Sequence, residues 1–154
     1  MTDLTALFTD LVRLETRLYN VLDARLKAEH ELPLGQFEFL RFIEAHGTTR
    51  VFDLARAMAI TVGATSKAVD RLESAGRVRR TANPDDRRSS LVALTPDGEH
   101  ALTAAKPTVE AELNTWVGSI LPTEVLDQLA TSLSMLRQRA ESDSRTDRRE
   151  VFKT

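Results

Sequence analysis

Leucine recurs at the two ends of this chain with the spacing of a helical seam. Leu4, Leu7, Leu11, Leu14, Leu18 and Val21 follow one another in alternating steps of three and four residues, and Leu22 and Leu26 continue the stripe with a slight drift. Residues repeating on that period share one face of a helix. No Gly or Pro interrupts the segment from Thr5 to Glu31, so one long helix is expected, ending before Pro33. Leu126, Leu129, Leu133 and Leu136 repeat the pattern, with Pro122 and Thr123 where that helix would start. So narrow a seam serves helices lying side by side, within one chain or between two. We prefer the second reading, in which both terminal helices build a homodimer interface.

The rest of the chain reads as shorter elements. A helix carrying Leu34, Phe37, Leu40 and Ile43 is expected between Pro33 and Gly47, with Gly47 left-handed just past its last turn. Val51 to Ala59 suits a short helix with Leu54, Ala55 and Met58 facing inward. Ile60 and Thr61 suit a tight turn, in which the Thr61 hydroxyl would cap a second helix running from about Val62 to Ala75. Val62, Thr65, Val69 and Leu72 form the expected buried face of that helix, and Gly76 ends it. Two short helices joined this way make a helix–turn–helix unit. Two strand-like runs follow, 77–82 and 89–94, separated by Asn83-Pro84-Asp85-Asp86-Arg87-Arg88, whose composition favours a turn. A hairpin placed there is a wing. Thr95-Pro96-Asp97-Gly98-Glu99 starts another helix, with Thr95 as cap and Pro96 in the first position. Leu102, Val109, Leu113, Val117 and Leu121 continue it toward Pro122.

Charge is unevenly divided. The 154 residues hold 21 basic and 23 acidic side chains, a formal charge of −2 that does not announce a polyanion-binding protein. Residues 1–49 carry net −3, residues 50–92 net +4 and residues 93–154 net −3. Attraction to a phosphate backbone depends on local potential, so the basic middle matters more than the total. A solvated charged face has the same composition.

The exposed face of the second helix of the pair would carry Gly63, Ala64, Ser66, Lys67, Asp70 and Arg71. Small residues let the helix approach a groove floor, Ser66 and Lys67 can reach base edges, and Arg71 suits the backbone. Arg87 and Arg88 at the wing tip suit a narrow minor groove. Asp86 would support the wing by holding an arginine in a paired hydrogen bond.

The chain has no cysteine, which removes disulfides, thiol nucleophiles and Cys-ligated zinc. His30, His46 and His100 are scattered, and Glu29-His30-Glu31 is too short a motif for a metal site, so neither metal nor cofactor is expected. No phosphate loop, His-Glu-x-x-His or nucleophile elbow is visible, and enzyme activity is not expected. No signal-peptide pattern or membrane-spanning run is seen, and a cytoplasmic protein is expected.

These segments together resemble the MarR (multiple antibiotic resistance regulator) family of bacterial transcription factors, from about Leu4 to Ala140. Asp86-Arg87-Arg88 followed by Leu91-Val92-x-Leu94-Thr95-x-x-Gly98 is similar to the family's wing signature, and Val69-Asp70-Arg71-Leu72-Glu73 with Gly76 to the end of its recognition helix. Two positions depart: Ala59 stands where a turn glycine is common, and Thr65 where an apolar residue is usual. The resemblance implies a mainly α fold with a small β-hairpin wing, a winged helix–turn–helix with N- and C-terminal dimerisation helices. Residues 33–94 would form the winged lobe, 1–32 and 95–140 the dimerisation helices, and 141–154 a polar tail that should fray. It implies a homodimer that binds a pseudo-palindromic operator in double-stranded DNA, as a repressor released by a small-molecule effector. Gly63, Ala64, Ser66, Lys67, Arg71, Arg87 and Arg88 are the expected DNA contacts. Tyr19, Phe39, Phe42 and His46 suit either ordinary packing or a pocket for an aromatic or phenolic effector. A helical protein–protein adaptor would use the same leucine seams and treat the basic middle as solvated surface.

Overall fold

The computed structural model describes the backbone of residues 1–151 and the side chains of residues 1–142. The fold is mainly helical with one small antiparallel sheet, as the sequence pattern predicts, and it divides into two compact units, Met1–Glu112 and the chain from Leu113 onward.

The first helix, α1 (Leu4–His30), starts at Asp3, whose Oδ1 accepts from the amides of Thr5 at 2.9 Å and Ala6 at 3.1 Å. Glu31 ends it in the left-handed region at φ 49°. Leu22 and Leu26 are buried, whereas Leu4, Leu7, Phe8, Leu11 and Leu14 are exposed. The leucine stripe therefore enters the core only at its C-terminal end. The second helix, α2 (Leu34–His46), follows Pro33, which has no side-chain cap to offer. Asp23 of α1 supplies one: its Oδ1 accepts from the Leu34 amide at 2.9 Å, and its Oδ2 from Lys27 Nζ at 2.6 Å. Burial pushes the Asp23 carboxyl up, but the hydrogen bonds from Lys27 and Leu34 outweigh it and hold the group below its ordinary value. Gly47 has φ 69°, as expected past a helix end, but its ψ of −151° makes the chain leave extended rather than in a left-handed turn.

That extended exit creates β1 (Thr49–Arg50). After α3 (Val51–Ala57) and α4 (Val62–Ser74) come β2 (Val78–Ala82) and β3 (Ser90–Leu94). The sheet order is β1-β3-β2, all antiparallel, with Thr49 opposite Val92 and Val78 opposite Leu94. The expected hairpin is thus part of a three-stranded sheet. Pairing with β1 occupies the second edge of β3, next to the fully buried Val92.

Thr95 starts α5 (Pro96–Leu113) as expected: its hydroxyl accepts from the Gly98 amide at 3.0 Å and donates to the Gly76 carbonyl. Gly98, a poor helix former, is required by packing. A Cβ there would collide with the Arg77 carbonyl oxygen. Leu102, Ala105 and Val109 of α5 join Leu26, Phe37, Leu40 and Leu72 in the core of the first unit.

In the second unit the expected continuous helix is interrupted. Asn114–Gly118 form a π turn, closed by the Ser119 amide on the Asn114 carbonyl at 2.8 Å, and α6 (Thr123–Val151) begins after Pro122. Leu129, Leu133, Met135 and Leu136 are exposed on α6. The backbone of the expected tail, from residue 141, is helical to Val151, and residues 152–154 lie outside the described residues.

Candidate nucleic-acid interface

Local chemistry defines both ends of α4. The Thr61 hydroxyl accepts from the Ala64 amide at 3.2 Å. At the other end the Gly76 amide bonds the Glu73 carbonyl and the Arg77 amide the Leu72 carbonyl, with Gly76 at φ 71°. Those two bonds make a Schellman cap. The same pair of bonds closes α3: the Ala59 amide reaches Arg56 and the Ile60 amide reaches Ala55. Here the left-handed position, at φ 54°, is occupied by Ala59 instead of glycine. Thr65, the other departure from the family pattern, is buried and donates its hydroxyl to the Thr61 carbonyl at 2.9 Å.

Thr65, Val69 and Leu72 are buried, as expected for the inward face of α4, but Val62 is 49% exposed. The apolar stripe extends one turn beyond the core that covers it. Gly63, Ala64, Lys67, Asp70 and Arg71 are exposed and Ser66 is half-buried. The outward face is therefore small at its start and charged after its first turn.

The wing tip is organised by its own side chains. Asn83 is buried, donates Nδ2 to Ser89 Oγ at 2.8 Å and accepts the Asp85 amide on Oδ1 at 3.0 Å. Asp86 Oδ1 accepts the amide of Arg88 at 3.0 Å. The sequence pattern has Asp86 holding a guanidinium; its carboxylate instead bends the tip backbone, the local role Asp plays in turns. Arg87 and Arg88 are exposed. At the base of the sheet, Arg50 forks onto Asp53 at 2.8 and 3.0 Å. The hydrogen-bonded Asp53 carboxylate, with a smaller contribution from Asp86, raises the Arg50 guanidinium above its ordinary value.

Ion pairing separates the basic side chains of this region. Arg50 and Arg80 are paired with carboxylates, and Arg77 bonds the Gln36 side chain at 3.2 Å and the Glu31 carbonyl at 3.1 Å. Arg56, Lys67, Arg71, Arg79, Arg87 and Arg88 are exposed and make no ion pair among the described residues. Arg56 and Arg79 are additions to the residues singled out from sequence. The signal was available for Arg79, which follows the buried Val78 on a strand and so points to the opposite face.

The four aromatic and histidine positions are not equivalent. Phe42 and His46 stack with ring centroids 4.0 Å apart, and His46 Nδ1 lies 2.9 Å from the Phe42 carbonyl. Phe39 is buried in the core, and Tyr19 is 44% exposed with its hydroxyl beside Gly35. His30 shares a hydrogen bond with Thr108 at 2.8 Å, and Thr108 donates to Glu29 at 3.0 Å. Among the described residues, no three His, Asp or Glu side chains gather as a metal site would need, and no helix is long and apolar enough to cross a membrane.

Comparison with known proteins matches residues 32–90 to the MarR family model. The multiple antibiotic resistance protein MarR of Salmonella typhimurium is 34% identical over 98 residues, covering 60% of this chain and 68% of its own. The transcriptional repressor MdtR of Bacillus subtilis is 30% identical over 115 residues, 72% of this chain and 71% of its own. The chain belongs to the MarR family. Among solved MarR-family structures, Sco3205 of Streptomyces coelicolor, crystallised in complex with DNA, superposes with a TM-score of 0.78 at 26% identity, covering 87% of this chain and 85% of that one. AbsC of the same organism shares the fold, with a TM-score of 0.79 at 23% identity over 92% of this chain and 97% of its own. As a MarR-family member the chain is a transcriptional regulator, not an enzyme.

Proposed function

We propose that this regulator is a homodimer that binds a pseudo-palindromic operator in double-stranded DNA and represses transcription until a small molecule releases it. The observation that carries the reading is the set of exposed cations on α4 and the wing that no carboxylate pairs among the described residues. An unpaired guanidinium or ammonium can replace condensed counterions on phosphate, whereas a paired one must first lose its partner. Gly63, Ala64, Ser66 and Lys67 suit the major groove, Arg71 the adjacent backbone, and Arg87 and Arg88 the minor groove beside it. Asp86 shapes the turn that carries the two wing arginines.

Residues 33–94 act as the winged lobe, with 1–32 and 95–140 supplying dimer contacts and 141–154 forming a polar tail. The exposed apolar side chains of α1 and α6 support this division. The stacked Phe42–His46 pair, with Tyr19 and Phe39, supports an aromatic or phenolic effector, because a flat ring can extend an existing stack. DNA in complex with Sco3205 and the repressor role of MdtR agree with the reading.

The test is a gel shift on the DNA immediately upstream of the protein's own gene. Lys67→Ala and Arg88→Ala are each expected to lose specific binding, by roughly tenfold or more. With about 8 phosphates neutralised per dimer, log K should fall with log salt at a slope of about −7. A protein that binds no duplex would instead be a helical adaptor, and a slope near zero would count against the basic middle as the DNA-facing surface.

A further inference from the structure

Arg80 stands on β2 and reaches across to α4. Its Nη2 donates to the Ser66 carbonyl at 2.9 Å, touches Ser66 Oγ at 3.4 Å and pairs with Asp70 Oδ1 at 2.5 Å. Its backbone amide donates to Glu73 Oε1 at 2.9 Å. Its Nε lies 3.8 Å from Glu73 Oε2, beyond hydrogen-bond range, and is buried with no acceptor. The Arg80 side chain is 24% exposed, against 61% for Asp70 and 44% for Glu73. The cation is thus tucked under the helix and the two carboxylates are more open to solvent.

This geometry bears on the charge that α4 presents. The helix carries Lys67 and Arg71, but also Asp70 and Glu73, so on its own it is neutral. A helix whose side-chain charges cancel has no net charge to draw it to phosphate, and two open carboxylates beside the phosphates would oppose the approach. Arg80 comes from outside the helix and lies against both carboxylates. With it the group carries a net charge of +1, and Lys67 and Arg71 are the cations left without a carboxylate partner among the described residues.

We propose that Arg80 is a positioning residue for DNA recognition: it masks Asp70 and Glu73 and ties Ser66 to the wing strand, without itself touching DNA. The proposal rests on the DNA-binding reading above. It differs from the direct contacts assigned there in that the loss of Arg80 can be repaired at other residues. If Arg80 were a phosphate contact, neutralising the carboxylates would raise affinity equally with and without it, whereas masking makes that gain larger once Arg80 is gone. A purely structural clamp on the Ser66 carbonyl would not be restored this way, since turning the two carboxylates into neutral amides supplies no new donor from the wing strand.

The experiment measures binding by fluorescence anisotropy on the same upstream duplex at low salt, with circular dichroism to check folding. Arg80→Gln is expected to weaken binding about tenfold, the effect of exposing like charge at an interface. Adding Asp70→Asn and Glu73→Gln to that variant should return affinity to within about threefold of wild type, and the recovery should shrink as salt screens the carboxylates. The pair Asp70→Asn, Glu73→Gln in the presence of Arg80 should bind at least as well as wild type, and it remains informative if Arg80→Gln fails to fold, because weaker binding by this pair would overturn the proposal. It is likewise overturned if Arg80→Gln binds normally, or if the triple variant stays as weak as the single one. Absence of any binding by the wild-type protein would overturn the DNA-binding reading itself, a separate outcome.

Discussion

Ala59 is held at φ 54° by the two hydrogen bonds that close α3, and an L residue with a Cβ is strained there. Gly76 meets the same demand at the end of α4 without strain. Ala59→Gly should therefore raise stability by about 1 kcal/mol, because relief of left-handed strain exceeds the extra flexibility of glycine in the unfolded chain. Urea unfolding would show a higher midpoint with an unchanged slope; a lower midpoint would mean that the turn has other reasons for alanine. The departure is visible in sequence as a missing glycine, because the cap demands one backbone conformation whatever surrounds it. Thr61, Thr95 and Gly76 are legible for the same reason. Each cap involves residues within five positions. Val62 reads as core and is not, because its stripe is helical but the core under that first turn is absent, and nothing local reports this.

At the level of elements, what escapes the sequence is contact between distant segments. β1 has two residues and no pattern of its own; it exists because Gly47 sends the chain out extended beside β3. Strand alternation puts Arg80 on the face of Val78, opposite Arg79, but only the fold shows that this face meets Asp70 and Glu73 of α4. The cap on α2 belongs to the same class. Pro33 cannot supply it, and Asp23, eleven positions before Leu34, does. Its pH consequence has a definite sign. The folded-state carboxyl lies below its ordinary value, so the cap contributes fully above about pH 4, the unfolded value, and is lost as pH falls through the lower folded one. Asp23→Ala should cost about 1 kcal/mol at neutral pH, as other lost helix caps do. The gap between wild type and variant in denaturant midpoints should narrow steadily below about pH 4. A gap that stays constant down to about pH 2 would show that the carboxylate charge plays no part.

For the whole molecule, the segmental charge and the uncovered leucines make one argument. The positive middle coincides with α3, α4 and the wing, and the acidic segments include α1 and α6, whose apolar side chains the single chain leaves open. A lone exposed leucine is ordinary; a stripe of Leu4, Leu7, Leu11 and Leu14 on one helix is not, because water is excluded from it only by another surface. Leu11 and Leu14 are 37% and 46% exposed, so replacing them disturbs little of the core that folds the winged lobe. Leu11→Glu with Leu14→Glu should consequently give a folded monomer, and the wild-type protein should sediment as a dimer at micromolar concentration. Thermal unfolding of the double variant should become independent of protein concentration, whereas that of the wild type should rise with it. DNA binding should fall by about 100-fold or more, since two linked half-site contacts gain from each other's proximity and one alone does not. If the double variant still sediments as a dimer, the α1 seam is not the interface; if it is monomeric yet binds the duplex as tightly as the wild type, recognition does not need two lobes.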